Sequence, residues 1–178
     1  VNSCRNLTLL SFHPYSLDMD ATRLEISRLY HRFGFGPRPG EYAKALVSGV
    51  AATRTAALTV PAVDAGAATV VEPAITDLGK RPAANSKEIV PFAIALRFQT
   101  QQMVVWWLDR MAASDHGLTE RMTWFWHGHW ATSIQKVNYP LPMFKQNKTL
   151  RANALGNFAT MTKAMLNDGA LQYWLDGQ

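Results

Sequence analysis

Residues 87–113 read KEIVPFAIALRFQTQQMVVWWLDRMAA. Ile89, Phe92, Leu96, Met103, Trp107 and Met111 recur at spacings of three, four or seven, which lays one apolar stripe along a long helix. Ser86 is the expected cap, and SDHG at 114–117 breaks the pattern. Thr119 then opens a second helix carrying RMTWFWHGHW at 121–130. After NYPLP, a further helix is expected to about Leu166, with Leu150, Ala154, Phe158, Met161 and Met165 as its buried line. Gly156 falls inside that helix, where glycine costs about 1 kcal/mol relative to alanine, so a close backbone approach is expected there. Asn167, Asp168 and Gly169 end it, and ALQYWLDG forms a last short helix. Toward the N-terminus, Thr22 and Glu25 have capping-box spacing for a helix reaching Phe33, with Leu24, Leu29 and Phe33 near one face. GFGPRPG turns the chain, EYAKALVSG follows as a helix ended by Gly49, and VAATRTAAL as another. No strand pattern and no repeat competes, so the fold class is all-α. A multi-helix, orthogonal or bundle-like domain is expected over 21–178, behind an irregular tail at 1–20. One long Ala/Pro/Gly-rich connection, 59–86, interrupts it and is expected to be partly mobile.

Composition narrows the function classes. At 178 residues the chain can bury a core within one domain, and its 17% charged residues are few for a solvated surface. That deficit points to a large buried fraction or to apolar surface that meets a partner. A net charge of +5 favours an anionic ligand or an acidic protein partner, but the basic residues are scattered. With no Lys/Arg stripe interleaved with stacking rings, nucleic acid is not an expected partner. One cysteine, Cys4, excludes an internal disulfide and reads as an incidental thiol. No apolar run is long enough to span a membrane. The first eighteen residues make a poor signal peptide, and Met19 is an alternative start to Val1, so localisation is left open.

The chemistry-bearing stretch is RMTWFWHGHW, which holds three of the six tryptophans and two of the five histidines. On a continuous helix His127 and His129 lie roughly 200° apart and cannot share a metal. A helix ending near Trp126, with Gly128 as the weak point, would let both imidazoles project to one side. They could then ligate a divalent metal ion or act as acid and base. The remaining ligands would come from His31, His116, Asp115, Glu120 or Asp109, among which spacing does not choose. The plainer alternative is a helix end packed by rings. Trp124, Phe125, Trp126 and Trp130 should meet Trp106 and Trp107 in the core, because the short SDHGL link makes the two helices antiparallel. Trp126 and Trp130, nearest the helix end, are the rings best placed to reach a ligand pocket.

Arg151 is expected to anchor a carboxylate from elsewhere, as a structural ion pair or as an anion-binding group. GFGPRPG is a turn rather than a nucleotide loop, since it follows a helix and lacks the phosphate-binding spacings. Asn147, in the triplet NKT, matches the glycosylation pattern but gains no weight without a secretory signal.

Three ordered stretches resemble the bacterial family known as domain of unknown function 1800: RLYHRFGFGPRPGEYAKAL, ERMTWFWHGHWATSIQKV and QNKTLRANALGNFATMTKAMLNDGALQYWLDG. Here Trp130 replaces the family's usual Phe, and Gly128 stands where Asn is common. The resemblance implies a longer protein of which this is an N-terminal portion. It also implies that many members are exported, and it names no reaction. Two readings follow. One is an enzyme-like domain centred on His127 and His129, with Arg151 orienting an anionic substrate. The other is a non-catalytic scaffold or binding module of the cell envelope, with the Trp/His cluster as structural core.

Overall fold

The computed structural model describes residues 21–177. The expected tail at 1–20, with Cys4 and Met19, lies outside the described residues. Among the described residues there are nine helices and no strand: α1 (Ala21–Phe33), α2 (Glu41–Leu58), α3 (Ala65–Ala68), α4 (Ile89–Ala113), α5 (Leu118–Trp130), α6 (Ile134–Val137), α7 (Pro140–Asn153), α8 (Phe158–Leu166) and α9 (Gly169–Trp174). None is long and apolar enough to cross a membrane.

The core forms around α7, which touches α4, α5, α6, α8 and α9. Pro140 starts α7 at a position whose N–H would have no helical partner anyway. Its residues Met143, Phe144, Gln146, Asn147 and Leu150 are all buried, so α7 is enclosed on several sides. Leu150, Met161, Met165 and Leu171 make one apolar cluster, with Trp126 and Trp130 of α5 packed against it. Val137, Met143 and Ala170 make a second. Burial of Asn147, only 5% exposed, removes the NKT triplet from consideration as an accessible acceptor.

α1 and α2 form an arm that packs along itself and buries Ile26, Leu29 and Ala45. Among the described residues α1 is helical from Ala21, and the Glu25 carboxylate pairs with Arg54 of α2 at 2.6 Å. The expected break at Gly49 is present. Its φ of 82° and ψ of 169° fall in a region open essentially to glycine alone, which kinks α2 into two helical segments.

Two expectations need correction. The helix expected to run to Leu166 is two helices. The chain leaves helix after Asn153, and the Asn157 side chain accepts the Thr160 N–H at 3.2 Å to start α8. Gly156 therefore sits in a bend, not under a helix crossing, and Phe158 at the new N-terminus is 53% exposed. The α4 stripe is covered only in part. Ile89, Phe92, Leu96, Met103, Trp107 and Met111 are all half-buried and Val90, Ile94 and Phe98 off the stripe are exposed, but the fully buried residues, Gln99 and Trp106, lie off that line, Trp106 against Phe144 of α7. Connection 59–86 holds the short helix α3 and makes polar contacts with α4 and α7. The Gln99 amide exchanges two hydrogen bonds with Thr76 (3.1 and 2.8 Å), and Glu72 pairs with Lys148 at 2.6 Å.

Candidate functional site

α5 runs unbroken through Gly128 to Trp130, and Ala131 at φ 48° ends it. The helix thus sends its two histidines different ways. His127 is half-buried, its ring edge-on to Trp107 of α4 at 5.3 Å, and burial pushes its pKa below the usual histidine value. His129 is exposed and stands among Trp130, Trp126, Phe158 and Phe125, at ring-centre distances of 5.4 to 6.4 Å. Among the described residues no three His, Cys, Asp or Glu side chains gather closely enough to hold a metal ion. His31, Asp109, Asp115, His116 and Glu120 are therefore not brought to either imidazole as a ligand set.

The rings divide in the same way. Trp107 of α4 meets Trp124 of α5 at 6.5 Å, yet Trp124 is 52% exposed and is not core. Trp126 donates its indole N–H to the Ala154 carbonyl at 2.9 Å and stacks on Phe158. It ties α5 to the α7–α8 bend, with Trp130 on the same apolar cluster. Neither Trp126 nor Trp130 lines the two cavities described below.

Arg151 finds its carboxylate within the protein. Glu120, 1% exposed, accepts Arg151 Nε and Nη2 at 2.8 and 2.9 Å and Arg110 Nε at 3.1 Å. Both guanidiniums lie over the Trp106 ring, at 4.9 Å for Arg151 and 5.5 Å for Arg110. Fork-shaped donors suit this bidentate, stacked arrangement, which joins α4, α5 and α7 through one buried acid. Of the two roles expected for Arg151, the geometry matches the structural ion pair.

The densest polar cluster lies elsewhere, at the α4–α5 joint. Asp64 caps α3 by accepting the Ala67 N–H, and it also accepts the Asp115 N–H, the His116 N–H and the Ser114 hydroxyl, all within 2.9 Å. Burial would raise its pKa, but these four donors outweigh burial and hold it at about 2. Asp115 accepts Arg38 Nη1 at 2.6 Å and the Gly66 N–H at 2.7 Å. Arg38 Nη2 donates to the carbonyls of Ala113 and Ser114, which end α4. Backbones meet closely here. A Cβ on Gly117 would lie 2.8 Å from Gly34 Cα, and one on Gly66 would lie 2.0 Å from the Ala113 oxygen. His116 Nε2 lies 3.1 Å from the Ala56 carbonyl, which can only accept, so Nε2 carries the proton. Its Nδ1 is buried with no partner among the described residues.

Two cavities flank this joint. One, of about 650 Å3, lies between the α1–α2 arm and the joint and is lined mainly by apolar side chains. The other, about 280 Å3, lies beside α3 and is bordered by Asp64, Arg110 and Glu120. His116 and Ser114 border both.

Residues 28–178 match the sequence family described as "Protein of unknown function (DUF1800)". The chain belongs to this family. No curated protein and no solved structure matches it. In this DUF1800 chain the three stretches that carried the resemblance converge: the 34–39 turn meets Gly117 at the head of α5, and α5 packs on α7. The cluster around Asp64 escaped sequence reading. Its one local signal was an aspartate before the small-residue run AGAA, an N-cap pattern, while nothing in GFGPRPG announces a partner 77 residues away for Arg38.

Proposed function

We propose that this domain is a non-catalytic helical scaffold or binding module in which the Trp/His cluster of α5 is structural. The observation that carries this reading is the unbroken helix at Gly128, with His127 against Trp107 and His129 on the exposed side. Trp126 and Trp130 support it by packing on the α7–α9 core, and Arg151 by its pairing with buried Glu120. Low charge content and exposed apolar rings at Trp124, Phe125 and Phe158 suit a protein that meets a partner. The enzyme-like alternative has one observation in its favour: burial lowers the His127 pKa and so favours the neutral imidazole, the form that accepts a proton.

Elemental analysis of the protein and of its His127→Ala/His129→Ala variant separates the readings. The module reading expects no stoichiometric metal in either and a folded double variant. Stoichiometric metal that the folded double variant loses would overturn it.

A further inference from the structure

The 650 Å3 cleft between the α1–α2 arm and the α4–α5 joint falls in the ~300–1,000 Å3 range of small-molecule sites, and its walls include Leu29, Phe33, Ala45, Ala52 and Met111. Most polar groups on those walls are already engaged. Tyr30 donates its hydroxyl to the Glu41 carbonyl, Thr53 to the Gly49 carbonyl and Ser114 to Asp64, and Arg38 is held by Asp115. The Glu41 carboxylate accepts the Arg38 N–H at 2.7 Å. Two donors differ. Lys44 and Ser48, both exposed, stand one helical turn apart on α2 and border the cleft, and neither side chain has a hydrogen bond or ion pair among the described residues. A cation and a hydroxyl at that spacing on the rim of an apolar cleft suit an anionic oxygen head on an apolar body.

We propose that this cleft binds an apolar carboxylic acid, its carboxylate held by Lys44 and Ser48 and its hydrocarbon body lying against Leu29, Phe33, Ala45, Ala52 and Met111. The Gly49 kink lies between the α2 segment that carries Lys44 and the one that carries Ala52, so the two walls of the site meet at a residue that can flex. The proposal deepens the module reading by naming a ligand class. None of its residues belongs to the α5 ring cluster, so a metal bound at His127 and His129 would sink that reading and leave this one standing.

The test is calorimetric titration of the protein with octanoate, octylammonium and octanol, each below its aggregation threshold. Octanoate is expected to bind one-to-one and saturably, about tenfold tighter than octylammonium. Lys44→Glu is expected to reverse that preference. Ala52→Trp, placed on an exposed position of α2 that borders the cleft, is expected to weaken octanoate about tenfold or more. Phe98→Ser, on the exposed side of α4 outside the cleft, is expected to leave binding unchanged. Absence of saturable octanoate binding would overturn the proposal, as would binding indifferent to both Lys44→Glu and Ala52→Trp. Equal affinity for octanoate and octylammonium would overturn the assignment of the head group. Circular dichroism of each variant confirms that a loss is not unfolding.

Discussion

Replacing Gly128 by alanine tests the reading on which the α5 histidines turn. In an exposed helix interior glycine is worse than alanine by about 1 kcal/mol, because it loses more backbone freedom on folding. Gly128 is exposed, its φ is not positive, and a Cβ built on it meets nothing within 4 Å. No clash therefore offsets the gain. The position lies two residues before the end of α5, where fraying reduces the benefit, so ~0.5–1 kcal/mol of stabilisation is expected. For a chain of this size that is a Tm rise of ~1–4 °C. Thermal and urea unfolding followed by circular dichroism at 222 nm read it directly. A fall in stability of about 1 kcal/mol or more would refute the argument, since alanine can lose only where the chain is non-helical or something approaches closely. In that event His127 and His129 would regain a shared side, and the metal reading with them.

Glu120→Ala leaves two guanidiniums beside Trp106 without their carboxylate, and a loss of ~3–5 kcal/mol in urea unfolding is expected. A loss under about 1 kcal/mol would mean that Arg110 and Arg151 reach solvent instead. Gly117→Ala forces a methyl against Gly34 Cα, so ~1–3 kcal/mol of destabilisation is expected, measured as a lower urea midpoint at unchanged slope. Asp64 sets an acid limb. Its pKa is about 2 in the fold against an ordinary 3.8, so its contribution is full above pH 3.8 and is lost as pH falls toward 2. Asp64→Asn is expected to be less stable at neutral pH and to show a shallower decline over that interval. An unchanged decline would sink the assignment.

The parts of the fold that could be read in advance are those set by neighbours in sequence. Gly49, the end of α4 before SDHG, and Asp168 ahead of α9 each follow from local backbone preference, and each is observed. What failed depends on which neighbour arrives. Trp106 and Trp107 are adjacent on α4 and equally apolar, and only the approach of α7 with Phe144 and Arg151 decides that Trp106 is the buried one. The bend at 154–157 was hidden because Leu150, Ala154, Met161 and Met165 keep helical spacing across it. The α5 site was legible only as a condition. Periodicity gives the angle between His127 and His129 if the helix continues, but Gly128 permits either course. Arg151 could be expected to seek a carboxylate, and Glu120 could not be singled out from other acids 31 residues or more away.

The polar joint explains why a cleft opens where it does. Helices α4 to α9 enclose α7 and bury whole side chains, whereas the α1–α2 arm buries few and meets the rest through directed contacts: Arg38 on the end of α4, Gly34 against Gly117, and the Ala56 carbonyl on His116. Hydrogen bonds fix orientation at a few points without demanding that the surfaces between them fit. Volume is left between the anchors, walled by the apolar sides of α1 and α2 that no opposing helix fills. The same anchors hold the arm at the weakly packed edge of the core, the part of a fold that opens at least cost.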